Sequence, residues 1–147
     1  MVAKAKFFVF SICIALILNG CALFTSHYDA TRHENFTKLK AVHVKLFENW
    51  SEGSQKVWNE SEIKSYCEEA DLKFREAYEF AKSKDNSDKT GQRAVKILWD
   101  EFNANYNLLL NNKKILSKTI KEEMLSEIEI NYGYAISGEL SRVNAPQ

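Results

Sequence analysis

The sequence predicts an all-α protein, folded as an antiparallel up-and-down bundle of four helices. Its 147 residues include five glycines and a single proline, Pro146, too few chain breakers for the many tight turns of a β-sandwich or barrel. From residue 29 onward, apolar residues recur at alternating intervals of three and four, the period of one helix face. Hydrophobic residues make up 45% of the chain and its formal net charge is zero, so the composition excludes the disordered and highly basic classes.

The first predicted helix runs from about residue 29 to residue 51. Its inward line consists of Phe36, Leu39, His43, Leu46 and Trp50. Val42 and Phe47 widen this line to the apolar stripe expected of a helix in a globular bundle. The stretch 51–56, which contains Gly53, ends the helix.

The second predicted helix begins after Asn59, which forms a capping-box pattern with Glu62, and continues to about Lys84. Its inward line consists of Ile63, Cys67, Ala70, Phe74, Ala77 and Ala81. The three alanines in this line permit a close neighbouring helix.

The third predicted helix runs from about residue 89 to residue 111, with Ser87 or Asp88 as its N-terminal cap. Its inward line consists of Val95, Leu98, Phe102, Asn105 and Leu109. Asn111 and the lysines that follow favour a helix end, because asparagine tolerates left-handed backbone and cations stabilise the last carbonyls. If the helix instead continues through Asn111, the bundle has three helices.

The fourth predicted helix begins with Ser117 or Thr119 as its cap and runs to about Arg142. Its predicted inward line consists of Ile120, Met124, Ile128, Asn131, Ala135 and Gly138. Gly133 and Ser137 lie one turn apart and could let another backbone approach closely. The alternative is that Gly133 only weakens the helix, by ~1 kcal/mol.

The first twenty residues have the pattern of an export signal. Lys4 and Lys6 precede an apolar run, residues 7–18, which is shorter than the roughly 20 residues of a membrane-spanning helix. The run ends in Leu18-Asn19-Gly20-Cys21, which resembles the lipobox of bacterial lipoproteins. An ordinary cleaved signal and an uncleaved anchor are the alternatives, and in both of them Cys21 is incidental.

The resemblance to lipoproteins implies a covalent anchor in place of any separable cofactor. Residues 1–20 are then a cleaved signal peptide, residues 21–28 the lipidated cysteine and a short tether, and residues 29–147 the helical domain. Cys21 carries diacylglycerol on its thiol and an acyl chain such as palmitate on its amine, and these chains hold the protein on the bilayer. Ala22 replaces the aspartate typical of inner-membrane retention, so the resemblance implies the periplasmic face of the outer membrane.

Charge and cysteine count exclude two further classes. Loss of Lys4 and Lys6 leaves 18 of the 20 basic residues against 20 acidic ones. With no basic stripe, the chain is not expected to bind nucleic acid. Cys67 has no intramolecular partner once Cys13 leaves with the signal and Cys21 is acylated, which excludes a disulfide scaffold. The position of Cys67 on an inward line favours an inert thiol over a reactive one.

The sequence contains no recognisable catalytic or metal motif, so neither an enzyme nor a metal protein is expected. No histidine follows a glutamate by three positions, which a di-iron bundle would require, and no zinc-protease, hydrolase, phosphate-loop or Cys-x-x-Cys motif occurs. His43 is predicted to be a core-edge histidine with a satisfied nitrogen. A metal or enzymatic site that uses His33 and His43 is the alternative.

Several aromatic residues are candidates for a binding surface: Trp50, Trp58, Trp99, Tyr132 and Tyr134. Trp58 is the preferred one, because it lies beside a loop and outside the inward line of the second helix. Trp50 and Trp99 are expected to belong to the core.

These observations favour a membrane-anchored protein-interaction module of the bacterial envelope, such as an assembly factor, an inhibitor or an exclusion factor. Its expected partners are the membrane, through the lipid anchor, and one envelope protein. The first alternative is a structural envelope component that associates with itself. The second is the metal-binding or enzymatic bundle.

Overall fold

A computed structural model describes residues 28–84 and 89–144, and within these ranges the fold is the predicted all-α bundle of four helices. The helices are α1 (Ala30–Asn49), α2 (Glu60–Lys84), α3 (Thr90–Asn112) and α4 (Lys118–Ser141), followed by a 3-10 turn at Arg142–Asn144. The predicted signal peptide, Cys21, the tether and the Ser87 or Asp88 cap lie outside the described residues. No helix in the described ranges combines the length and the apolar character needed to cross a membrane.

The junction at Asn111 is a turn, so the three-helix alternative is wrong. Lys113 adopts the left-handed conformation, with φ of 50°, and its N–H donates to the carbonyl of Leu110 at 3.2 Å. This is the geometry in which a left-handed residue commonly ends a helix. The bundle therefore has four separate helices.

Side-chain caps fix the first turns of three helices. The Asp29 carboxylate accepts from the N–H groups of Thr31 and Arg32 at the start of α1. Asn59 accepts from the N–H of Glu62 at 3.0 Å, which confirms the predicted cap of α2. Ser117, rather than Thr119, caps α4. Each such cap stabilises a helix by about 1 kcal/mol.

The predicted inward lines of α1, α2 and α3 are buried in full. Aromatic and aliphatic side chains from these lines form one core. The core also includes two residues that the lines did not contain, Leu116 before α4 and Tyr132 within it.

The fourth helix departs from its predicted line. Ile128 is buried as predicted, but Asn131 and Gly138 are exposed, and Tyr132 and Glu139 are buried instead. The buried side of α4 differs from the predicted one because α4 packs mainly against α1 and has little contact with α3. The side of α4 that carries Asn131 and Gly138 is left facing a gap. Among the described residues, no atom of a neighbouring element lies within 4 Å of a side-chain carbon built at Gly133, so the close approach that this glycine could allow is not found there.

The bundle consists of two tight pairs, α1 with α4 and α2 with α3, and α1 also packs on α2. We call the end at which α1 begins and α4 ends the proximal end, and the opposite end the distal end. At the distal end, the N–H of Leu116 donates to the carbonyl of Trp50, and the N–H of Glu52 donates to the carbonyl of Leu116. These bonds tie the two distal loops together.

Candidate functional site

The main candidate site is a groove between α3 and α4 at the proximal end. Its volume is about 350 Å³, within the range of roughly 300 to 1,000 Å³ found for ligand pockets. It follows the seam along which the two neighbouring helices make the fewest contacts. The groove therefore arises from the uneven pairing of the four helices.

Small residues on both helices leave the groove unfilled. Gly91 and Ala94 line it from α3, and Ala135 and Gly138 line it from α4. A side chain built at Gly138 would meet no atom within 4 Å. Since Ala94, Ala135 and Gly138 have at most one side-chain carbon each, the helices leave an open space beside them that a larger side chain can enter.

The floor of the groove and much of its walls are apolar. Phe36 and Leu98 form its floor and belong to the core. Ile97 and Tyr134 line its walls and are 57% and 74% exposed. Ile130, also exposed, lies four residues before Tyr134 and so extends the apolar surface along the outer side of α4. A contiguous apolar surface of this kind marks an interaction site more often than scattered exposed residues do.

A buried ionic cluster closes the groove at the proximal end. Glu139 Oε1 accepts from Arg32 at 3.0 Å and from Arg142 at 3.2 Å, and Glu139 Oε2 accepts from the N–H of Asp29 at 3.4 Å. The side chains of Arg32 and Glu139 are 4% and 2% exposed. A buried charge requires such pairing, because desolvation of an unpaired ion is costly. The cluster joins the first turn of α1 to the last turn of α4, beside the groove.

This cluster was not predicted, although the sequence contains a signal for it. Arg32 lies four residues before Phe36 and so extends the apolar line of α1 by one turn. Glu139 lies seven residues after Tyr132, on the same side of α4. Opposite charges on the buried sides of two helices at the same end of a bundle indicate a buried ion pair.

His43 has the core position that was predicted for it. Its Nε2 lies 3.0 Å from the amide nitrogen of Asn105, and its ring packs against Phe47, Phe102 and Tyr132. With the amide nitrogen of Asn105 facing the ring, Nε2 is the acceptor and the ring is neutral. Burial lowers the pKa of His43 to about 3, which keeps the ring uncharged.

His33 and His43 do not come together. They lie ten residues apart on α1, which is ~15 Å along the helix axis. His33 is half-buried beside Tyr28, with their ring centres 6.2 Å apart, whereas His43 is in the core. Among the described residues, no group of three or more histidine, cysteine or acidic side chains is placed to hold a metal ion.

The aromatic candidates divide between core and surface. Trp50 and Tyr132 are fully buried, so Tyr132 is not a surface residue. Trp99 is half-buried and its indole N–H donates to Asp71 at 2.9 Å. Trp58 is half-buried, packs against the core and has its indole nitrogen away from solvent. Tyr134 alone of the five is largely exposed, and it lines the groove.

Cys67 is buried on α2, as the inward line predicts. Burial raises the pKa of its thiol to about 12, so the reactive thiolate is disfavoured at neutral pH. This environment favours the inert interpretation of Cys67.

Comparison of the chain with protein-family models, with curated proteins and with solved structures found no match. The function is therefore argued from the groove and from the sequence that precedes the bundle.

Proposed function

We propose that this chain is a lipid-anchored protein of the bacterial envelope whose bundle binds another envelope protein through the groove between α3 and α4. The binding proposal rests on one observation. The exposed side chains of Ile97 on α3 and Tyr134 on α4 lie on either side of an apolar floor, and these two helices make few contacts with each other. The Leu18–Cys21 sequence supports the anchor. The same proposal places the protein at the periplasmic face of the outer membrane.

The groove suits an amphipathic helix from the partner. An apolar groove between two helices binds such a helix through side chains spaced by three or four residues. Tyr134 offers a large apolar surface with a polar tip, a combination that is common among the residues that dominate binding energies. A partner helix laid along the seam would fill the side of the bundle on which α3 and α4 are least in contact.

The proposed anchor also determines where the groove lies relative to the membrane. The six residues 22–27 span at most ~20 to 25 Å when fully extended. Since the described chain begins at the proximal end, the anchor would hold that end, and the groove with it, close to the bilayer. The expected partner is therefore a membrane protein or a protein that acts at the membrane surface.

A photo-crosslinking amino acid at position 134 tests the binding surface in living cells. The matched control is position 72 on α2, because Leu72 is also a large exposed apolar residue, 55% exposed. We expect a discrete adduct with another protein from position 134 and none from position 72. An adduct of twice the protein's own mass would assign this face to self-association, and equal labelling at both positions would contradict the proposal.

Intact-mass analysis of protein extracted from its native membrane tests the anchor. We expect a chain that begins at Cys21 and carries the mass of a diacylglyceryl group and an acyl chain. The Cys21→Ser variant should retain Met1 and acquire no lipid. A native chain that retains Met1, or one that is trimmed but bears no lipid, would contradict the anchor.

A further inference from the structure

We propose that Glu101 of α3 binds a basic side chain of the partner, a lysine or arginine that lies one helical turn beyond the apolar residues filling the groove. The inference rests on the proposed function and adds the charge pattern that the partner helix must carry. The site lies on the same seam between α3 and α4, at the end of the groove that faces the distal end of the bundle.

Glu101 continues the line of groove residues along α3. It follows Ile97 by four residues and Leu98 by three, so its side chain lies one turn farther along the same side of the helix. Burial raises the pKa of Glu101, and the amide of Asn131, which lines the groove from α4, is close enough to lower it in part. The carboxylate therefore faces α4 where the apolar groove ends.

The charge of Glu101 has no counter-charge among the described residues. Neither of its carboxylate oxygens accepts a hydrogen bond of normal geometry, and both are shielded from solvent. The charged group that acts on it across the seam is the carboxylate of Glu127, which raises the pKa of Glu101 instead of balancing its charge. Because a shielded carboxylate costs free energy until it is paired, this place favours the arrival of a cation.

A second acceptor lies near the carboxylate. Tyr132 is fully buried, and its hydroxyl has no hydrogen-bond partner among the described residues. Burial raises the pKa of Tyr132 and the charge of Glu101 raises it further, which indicates that the two groups are close to each other. A lysine or arginine has several N–H donors and no acceptor, so a single cation can donate both to Glu101 and to the Tyr132 hydroxyl.

The described residues favour a cation of the partner over a metal ion at this place. In the described ranges, no group of three or more histidine, cysteine or acidic side chains is placed to hold a metal. The apolar side chains of the groove begin one turn away from Glu101. A surface that joins an apolar groove to a single charge suits an amphipathic helix, whose side chains on one face recur every three or four residues.

The spacing of the site determines the expected pattern of the partner's sequence. Ile97 and Glu101 are four residues apart, which is ~6 Å along the axis of α3. A partner helix laid along the seam advances by the same distance in four residues. We therefore expect its lysine or arginine three or four residues from the apolar side chain that lies between Ile97 and Tyr134.

Photo-crosslinking from position 134 of the full-length protein in living cells tests the inference when it is combined with Glu101→Gln. This substitution keeps the shape of the side chain and removes its charge. The matched control is Glu123→Gln, because Glu123 is an exposed carboxylate on α4. We expect Glu101→Gln to lower the yield of the partner adduct at least about tenfold, since a hydrogen bond between charged groups is lost, and Glu123→Gln to leave the yield unchanged.

Urea denaturation of the same variants separates an effect on binding from an effect on folding. Glu101→Gln removes a poorly paired charge from the free bundle, so it should not lower the stability of the protein. A weaker adduct from a bundle of equal or higher stability cannot result from unfolding. A residue that costs stability in the free protein and strengthens binding is typical of a functional site.

An exchange of charges with the partner provides a second test. Mass spectrometry of the adduct identifies the partner segment that contacts position 134 and the basic residue three or four positions from that contact. Glu101→Lys should abolish the adduct, because it places two cations together. Replacement of the partner's basic residue by glutamate should restore the adduct with Glu101→Lys and weaken it with the wild type. A segment with no lysine or arginine at this spacing would overturn the inference.

The outcomes separate this inference from the proposed function. A partner adduct that forms equally well in the wild type and in Glu101→Gln would overturn the inference and leave the proposed function in place. The absence of any adduct from position 134 in the wild type would contradict the proposed function, and the inference with it. A loss of adduct that accompanies a loss of stability in Glu101→Gln would show that Glu101 acts through the fold, which would also overturn the inference.

Discussion

Arg32 and Glu139 form a buried ion pair, with Nη1 and Oε1 3.0 Å apart, between residues separated by 107 positions in the chain. The pair lies where α1 begins and α4 ends, and Gly91 of α3 packs against the Arg32 side chain. Three helices thus meet at one pair of charges.

Glu139→Gln should lower the free energy of unfolding by about 3 kcal/mol, because it removes the negative charge that pairs with the buried Arg32 side chain at 3.0 Å. Urea denaturation measures the change. Glu129→Gln is the matched control on the same helix: Glu129 pairs with Lys40 but is 70% exposed, so its loss should cost less than about 1 kcal/mol. The double variant Arg32→Met with Glu139→Leu should recover most of the lost stability. Similar losses in both single variants would show that the buried pair has no special role.

Gly91→Ala and Gly133→Ala should change stability in opposite directions. A side-chain carbon at Gly91 would lie 2.9 Å from Arg32 Nη1, and Arg32 is held by Glu139, so we expect a loss of about 1–3 kcal/mol. A side-chain carbon at Gly133 meets no neighbour within a helix, so we expect a gain of about 0.5–1 kcal/mol. Thermal unfolding of the two variants gives the comparison. A loss at Gly133 would indicate that a backbone or partner approaches it after all.

Protonation of His43 should destabilise the protein as the pH falls. The pKa of His43 is about 3 in the folded state and about 6.5 in the unfolded state, so between these values the unfolded chain binds more protons. The stability that the neutral His43 ring contributes is therefore fully present above pH 6.5 and is lost as the pH falls toward 3, by up to about 1.4 kcal/mol per pH unit.

Urea denaturation between pH 7 and pH 5 tests this expectation. The double variant His43→Leu with Asn105→Leu removes the titrating ring and avoids an unpaired amide, so its stability should depend less on pH than that of the wild type. His33→Asn, half-exposed on the same helix, should leave the pH dependence unchanged. An unaltered slope in the double variant would show that another group controls it.

Glu101 lies at the seam between α3 and α4, and its contribution to stability has the opposite pH dependence to that of His43. Its carboxylate oxygens are shielded from solvent without a hydrogen bond of normal geometry. Burial and, to a lesser extent, the nearby Glu127 raise the pKa of Glu101, while Asn131 is close enough to lower it in part. The folded state therefore binds the proton more tightly than the unfolded state, and stability is lost as the pH rises through the folded pKa.

Glu101→Gln should therefore stabilise the protein by about 1 kcal/mol at pH 8, because it removes a poorly paired buried charge. The gain should shrink at pH 4, where Glu101 is increasingly protonated in the wild type. Glu123→Gln, at an exposed position on α4, is the control and should have little effect at either pH. Chemical denaturation at the two pH values makes the comparison, and a loss of stability at pH 8 would show that the Glu101 charge is paired.

The fold could be predicted from the sequence to the extent that each helix is enclosed by its neighbours. The line Ile63 to Ala81 on α2 is buried in full, because α2 packs against both α1 and α3. On α4 the same spacing rule placed Asn131 inward, since periodicity finds the apolar side of a helix but does not say which neighbour is closer. For the same reason, the groove could not be predicted from the sequence. Its walls, Ile97 and Tyr134, belong to no inward line.

Tyr132 and Tyr134 were equivalent candidates in the sequence, and the structure separates them. Tyr132 is fully buried against His43, whereas Tyr134 is 74% exposed in the groove. Tyr132→Ala should therefore lower the free energy of unfolding by about 3–5 kcal/mol, as expected for loss of a large aromatic from a core. Tyr134→Ala should change it by less than about 0.5 kcal/mol.

The two variants should also differ in binding. Tyr134→Ala should weaken the partner adduct formed from a crosslinking amino acid at position 97 at least tenfold in a bundle of unchanged stability, because Tyr134 supplies the largest exposed surface of the groove. Urea denaturation and the adduct yield give the two readouts on the same samples. If Tyr134→Ala cost as much stability as Tyr132→Ala, Tyr134 would belong to the core. If it left the adduct unchanged, the groove would not be the binding surface.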